Sequence, residues 1–210
     1  MSITNDDISR SDGTTDDSVS ANGVARDDFA SDDAAIGFLD TPVGRLSVAV
    51  TSVGVAAVGW GEPSALSRYL HVAFTKDAER VAPVLGQLEE YFGATRTKFD
   101  VPLDWRATNP TQRAILKNLF ESVAAGESIT YGELADRSGT GVPARGIGSI
   151  MGSNPIPIIV PCHRVVASDG LGGYSGGTRR NALDVKRWLL MFEGALPPTL
   201  DWNPAVGVPA

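Results

Sequence analysis

The chain has 210 residues, 42% apolar and 7% aromatic, enough for an ordinary core in one domain or two small ones. No apolar run approaches the roughly 18 residues of a membrane-spanning helix, and the N-terminus is neither basic nor hydrophobic, which argues against a secretory signal. The net charge of −7 speaks against a nucleic-acid partner only until its distribution is read: residues 1–33 carry nine Asp and two Arg, residues 34–210 are neutral, and residues 105–180 hold eight Lys/Arg against five acids.

Residues 1–33, rich in Asp, Ser, Thr and Gly, are expected to form a disordered acidic tail. Ile36–Val50 reads as strand, turn, strand, and Gly54–Trp60 as a third strand. Helices are expected over about 64–72 and 80–93, the second with Val81, Val84, Leu85, Leu88, Tyr91 and Phe92 at helical spacing. Residues 34–104 therefore form a small N-terminal α/β domain, ending in a linker over Phe99–Arg106. Residues 105–200 form a second, mostly helical domain, and residues 201–210 a C-terminal tail.

In the second domain, residues 109–125 read as a helix with Ala114, Ile115, Leu119 and Val123 on its apolar side. Thr130–Ser138 is a shorter helix, Gly139–Val142 a turn, and Pro143 a good opening residue for the next segment. Helix, glycine turn and helix fit a helix-turn-helix and fit an ordinary αα corner equally well. Ala144–Ser153 holds Gly146, Gly148 and Gly152, and each glycine costs a helix interior about 1 kcal/mol. The segment is either a loop or a helix kept small so that another body can approach. With Arg145 at its start, such a helix would suit a phosphate backbone or a narrow groove. Pro157–Val160 reads as a short buried strand, and Ala182–Glu193 as the closing helix.

The only cysteine is Cys162, in the run Pro161-Cys162-His163-Arg164-Val165. It can form neither an internal disulfide nor a multi-cysteine metal site, and a lone thiol fits a cytoplasmic protein. Pro161 places it at a strand edge or in the first turn of a helix. A helix N-terminus or a nearby histidine would favour its thiolate. His163 is adjacent, but neighbours on an extended chain point apart, so a pair needs a bend or a bridging water. On composition alone a lone cysteine after a strand is more often an inert core residue than a nucleophile.

The run Ile156–Val166, together with Ser153-Asn154-Pro155 and Gly173-Tyr174-Ser175-Gly176-Gly177, resembles the O6-alkylguanine-DNA alkyltransferases. Thr41-Pro42-Val43-Gly44, Glu90-Tyr91-Phe92, Pro102-Leu103-Asp104, Ile129-Thr130-Tyr131-Gly132 and Trp188-Leu189-Leu190 extend the likeness over about residues 36–196. The resemblance implies a ribonuclease H-like N-terminal domain and a winged-helix-like C-terminal domain with a helix-turn-helix. It implies direct-reversal repair: an irreversible, once-only transfer of the alkyl group from O6-alkylguanine, and from O4-alkylthymine, to Cys162 after base flipping.

By position, His163 resembles the water-bridged base and Glu193 its orienting carboxylate. Asn154 resembles the hinge between the DNA-binding helix and the active-site segment. Arg145 resembles the arginine that enters the stack in place of the flipped base. Tyr131 resembles the tyrosine that turns the 3′ phosphate and assists the leaving guanine. Tyr174, Ser175, Val165 and Pro157 complete the implied substrate and DNA contacts. No metal or cofactor is implied. The partner is double-stranded DNA containing alkylated guanine, bound by a monomer that can cluster along it.

The chain departs from the family in places. It lacks the cysteines of the N-terminal zinc site that some members carry, and has Pro110 where an aromatic is usual. Thr178-Arg179-Arg180 reads as a small insertion beside the DNA face. Three other classes are weighed: a non-catalytic lesion binder, against which Cys162 argues; a transcription regulator, which would need an added N-terminal metal-bound cysteine domain where residues 1–33 hold no cysteine; and a cysteine hydrolase, which would turn over repeatedly.

Overall fold

The structure, a computed structural model, describes residues 33–177, 181–198 and 207–208. The acidic segment up to residue 32, the Thr178-Arg179-Arg180 insertion and most of the expected C-terminal tail lie outside the described residues. Asp33, assigned above to the tail, instead opens the first strand and pairs with Arg80 at 3.0 Å.

Strands β1 (Asp33–Thr41), β2 (Gly44–Val50), β3 (Val55–Trp60) and β4 (Ala73–Thr75) form one sheet in the order β3-β2-β1-β4. The first three are antiparallel neighbours, and β4 joins β1 in parallel. β2 and β3 are buried on both faces. Helix α1 (Ala78–Phe92) packs on the sheet through Val81, Val84 and Leu88, and its N-terminus is capped by Asp77, which accepts from the Arg80 amide at 3.1 Å. Leu66, Tyr69, Leu70 and Ala107 form a second apolar cluster with Ala34, Ala49 and Ala57 of the sheet.

The helix expected over 64–72 does not form. Pro63–Ala65 is a single 3₁₀ turn, continued by i→i+3 bonds such as Tyr69 N to Leu66 O at 2.9 Å. Leu66, Tyr69 and Leu70 have helical spacing, but successive turns bury the same side chains without a helix nucleus. The linker is tied down. Val55 N donates to Pro102 O and Asp104 N to Val55 O, at 2.9 and 2.8 Å. The fully buried Asp104 accepts from Thr51 Oγ1 and Arg106. Gly54, at φ +155°, is required here, because a Cβ would lie 2.3 Å from Pro102 O.

The second half holds α2 (Pro110–Ser122), β5 (Ile129–Thr130), α3 (Tyr131–Ser138), α4 (Ala144–Gly152), β6 (Val165–Val166) and α5 (Ala182–Phe192). Asn109 caps α2 and Pro110 opens it, so the proline suits a helix start rather than disturbing it. Thr130 and Glu133 form a capping box at the start of α3, and Gly139 ends it at φ +62°. The glycine-rich run is a helix. Gly146 lies against Val142, where a Cβ would meet a methyl at 2.6 Å, while Gly152 faces open space.

Pro157–Val160 is not a strand. It is a buried tight turn in which Val160 N donates to Ile156 O at 2.9 Å and Ile158 sits at φ +73°. An apolar run marks burial but cannot separate a strand from a turn inside the core. The two halves share one core: Tyr91, Phe92 and Phe99 pack with Trp188 and Phe192 of α5. Among the described residues no helix is long and apolar enough to cross a membrane.

Candidate active site

Cys162, His163 and Arg164 form one 3₁₀ turn after Pro161, and all three are buried. The turn supplies the bend that an extended chain would lack. Glu193, at the C-terminal cap of α5, reaches into the same place with a side chain only 2% exposed. Its Oε1 lies 3.0 Å from His163 Nε2 and 2.8 Å from Arg164 Nη2, and its Oε2 2.9 Å from Arg164 Nε. Tyr91 of α1 donates its hydroxyl to Oε1 at 2.7 Å. Burial works against a charged Glu193, but His163 and Arg164 hold its carboxyl well below the usual range.

A carboxylate only accepts, so His163 Nε2 carries the proton and Nδ1 is left as an acceptor. Nδ1 is buried and has no hydrogen-bond partner among the described residues. Burial pulls the imidazole below its ordinary value, with Glu193 opposing. The thiol of Cys162 is pushed up by burial, against the Asn154 side chain and the charge of Lys186. The resting pair is therefore neutral thiol beside neutral imidazole, with the free ring nitrogen available as a base.

Asn154 follows α4 and spans the turn that leads to Cys162. Its Nδ2 donates to Val160 O at 2.8 Å and its Oδ1 accepts from Ile156 N at 3.1 Å. From the N-terminal domain, Tyr69 donates to Asn154 O and Val58 N to Pro155 O, at 3.2 and 2.8 Å. Ile158 is a fully buried β-branched residue at positive φ, a conformation that costs about 1–3 kcal/mol and persists only when its surroundings impose it. The chain approaching Cys162 is thus fixed from both sides.

Cys162 opens into a pocket of about 390 Å³ between α3, α4 and the loop after β6. Tyr131, Gly148 and Met151 line one side, Tyr174 and Ser175 the other, and Arg145 stands at the rim with Ala144 and Gly152. The volume sits at the low end of small-ligand pockets, roughly 300–1,000 Å³. Tyr131 donates to Gly173 O at 3.3 Å. Gly172, at φ +67°, lets the loop pass within reach of the Tyr131 ring, where a Cβ would meet it at 2.8 Å. The Tyr174 hydroxyl is buried without a hydrogen-bond partner among the described residues. Arg145 is exposed in the first turn of α4, where a cation opposes the helix dipole; an anion docked there would reverse that penalty.

Of the ten residues singled out in the sequence, Cys162, Tyr131, Arg145, Tyr174 and Ser175 line this pocket, and His163, Glu193 and Asn154 lie behind Cys162. Val165 and Pro157 do not line it. Val165 is buried and offers its carbonyl to Lys186 at 2.7 Å, and Pro157 is buried in the turn. Four participants escaped the sequence reading. Arg164 was read only as part of a motif. Tyr69 falls inside the helix expected over 64–72, and Tyr91 enters as a helix residue and as part of the Glu90-Tyr91-Phe92 likeness. Lys186 is fully buried, donates also to Gly173 O at 2.9 Å, and is brought down to about 8 by burial, Cys162 opposing. Its signal was its place among Ala182, Val185 and Leu189, which puts a lysine on the apolar face of a helix.

Residues 35–105 match the family described as 6-O-methylguanine DNA methyltransferase, ribonuclease-like domain, and residues 110–195 match its DNA binding domain. A methylated-DNA--protein-cysteine methyltransferase of Mycobacterium bovis is 38% identical over 161 residues, 76% of this chain and 92% of the relative. One from Shigella flexneri is 35% identical over 165 residues, covering 74% and 93%. A crystal structure of Mycobacterium tuberculosis OGT in complex with DNA superposes with a TM-score of 0.61 at 33% identity, covering 78% of this chain and 93% of that one.

Proposed function

Because the chain belongs to the 6-O-methylguanine DNA methyltransferase family, we propose that it takes the alkyl group of O6-alkylguanine in duplex DNA onto Cys162, once and irreversibly. It is a methylated-DNA--protein-cysteine methyltransferase, a DNA repair protein whose partner is DNA. The observation that carries the finer reading is the single free thiol at the floor of a pocket, backed by a His163–Glu193 pair whose outer nitrogen is open.

The alkylated oxygen is hidden inside a duplex, so the nucleotide is flipped into the pocket between Tyr131 and Tyr174. Arg145, at the rim, fills the space left in the stack, with α4 in the groove as the second helix of a helix-turn-helix. The thiol proton passes to His163 Nδ1 through a water, and Glu193 stabilises the imidazolium. Sulfur forms a bond to the alkyl carbon as the carbon–O6 bond breaks. The electron pair stays with guanine, which takes a proton on a ring nitrogen from Tyr131 and leaves neutral, and the tyrosinate regains its proton from solvent, balanced by the proton held on His163. The thioether is stable, and the chain has no second thiol to reverse it. O4-alkylthymine presents the same alkyl–oxygen bond and is the second substrate. The protein acts as a cytoplasmic monomer, in keeping with one reduced cysteine, and can cluster along DNA.

Incubated with excess duplex carrying radiolabelled O6-methylguanine, the protein is expected to take up label to a plateau of one per chain. Continued turnover, with label released from the protein, would point instead to a hydrolase. Arg145→Ala is expected to slow repair of duplex DNA at least about tenfold while leaving reaction with the free alkylated base close to normal. Equal losses on both substrates would contradict a role in flipping.

A further inference from the structure

We propose that Tyr91, carried by the N-terminal domain, is a positioning residue of the transfer site, acting through Glu193. This rests on the reading of Cys162, His163 and Glu193 as the reacting relay. Tyr91 lies 102 residues from Glu193 in sequence and is 1% exposed, and its hydroxyl donates to Oε1 at 2.7 Å. That oxygen is the one that also receives His163 Nε2 and Arg164 Nη2. Three donors on one carboxylate oxygen fix where its charge sits relative to the imidazole. The Tyr91 ring cannot swing away, because Phe92, Phe99 and Phe192 hold it at centroid distances of 5.1, 5.4 and 5.6 Å. Burial and the Glu193 charge push the phenol upward, so it stays a neutral donor.

A buried tyrosine could donate to whatever acceptor lies nearest, with no consequence beyond packing. The position of the acceptor separates the two cases. Glu193 is faced by Tyr91 from α1, by His163 and Arg164 from the turn after Pro161, and by Tyr174 from the pocket loop; His163 also feels Lys186 of α5. Of these, Tyr91 supplies a neutral donor without an ionic alternative. Without it Oε1 is more basic and holds the Nε2 proton more tightly. His163 then becomes easier to protonate, and the pH at which Nδ1 is lost as a base rises.

The test is single-turnover transfer from O6-methylguanine duplex DNA across pH, for wild type, Tyr91→Phe and Tyr69→Phe. Tyr91→Phe keeps the ring and removes the donor. It is expected to slow transfer about five- to tenfold near neutral pH, to move the acid limb of the profile to higher pH, and to leave DNA affinity within about twofold. Tyr69→Phe removes a bond of the same kind from the same domain, to the Asn154 carbonyl, and is expected to leave the acid limb in place. Should Tyr91→Phe fail to fold, a fluorotyrosine at position 91 keeps the shape and strengthens the donor, and is expected to move the limb to lower pH. An unmoved limb in Tyr91→Phe or in the fluorotyrosine variant overturns the inference, whatever happens to the rate or the melting temperature. A wild type that transfers no label overturns the underlying reading instead.

Discussion

Cys162→Ala is expected to fold, to bind duplex DNA carrying O6-methylguanine, and to take up no label at all. The side chain is 3% exposed and small, and its loss removes one sulfur from a site that Asn154, the 3₁₀ turn and α5 hold independently. Core truncations of this size cost about 1 kcal/mol, well within the stability of an ordinary domain. Chemistry has no such reserve. No other thiol exists in 210 residues, and neither His163 nor Tyr131 could replace sulfur as an acceptor for an alkyl carbon. Mobility-shift binding with label counting on the same samples reads both halves. Binding retained with transfer at background is the expected pattern; label on the alanine variant would place the acceptor elsewhere.

Glu193→Ala is expected to lose both stability and transfer. Removing the carboxylate leaves the Arg164 guanidinium, whose side chain is 7% exposed, with the Val123 carbonyl at 2.7 Å as its one remaining partner among the described residues, and takes from the Tyr91 hydroxyl and His163 Nε2 the acceptor they share. Breaking a buried charge pair from one side costs about 3–5 kcal/mol, and loss of the group orienting a general base costs about 10²–10⁴-fold in rate. Urea melts and single-turnover kinetics measure the two separately. Acid adds a third readout. The folded carboxyl titrates below its ordinary 4.5, so its contribution is complete above that value and is lost as pH falls below it. The alanine variant should lack that part of the acid destabilisation. A variant as stable as wild type, with the same acid slope, would mean that the bonds of Glu193 to His163, Arg164 and Tyr91 contribute nothing to stability.

Much of this architecture could be read from residue patterns, because the patterns have local causes. The alternation over Ile36–Val50, the apolar face of α1 and the start of α2 at Asn109-Pro110 need only neighbours along the chain to be intelligible. The misreadings share a different cause. Over 64–72 and over Pro157–Val160 the apolar residues are buried, but by turns packed inside the core, and burial alone does not specify backbone geometry. The site divides in the same way. Cys162 and His163 are adjacent and could be paired as soon as a bend was granted. Glu193 came only from resemblance. Arg164, Lys186, Tyr69 and Tyr91 make their contacts across the fold, at sequence separations from 13 to 102 residues, which no local pattern specifies. Lys186 is a partial exception, since a lysine on the inner face of α5 requires internal carbonyl partners.

The most direct measurement is peptide mapping of the protein after reaction with duplex DNA carrying a single O6-methylguanine. The expected result is one added methyl group per chain, carried as a thioether on the peptide containing Cys162, with the DNA restored to guanine and no modification in Cys162→Ala. Restored DNA together with an unmodified protein, or a methyl group found on any other residue, would contradict transfer to Cys162.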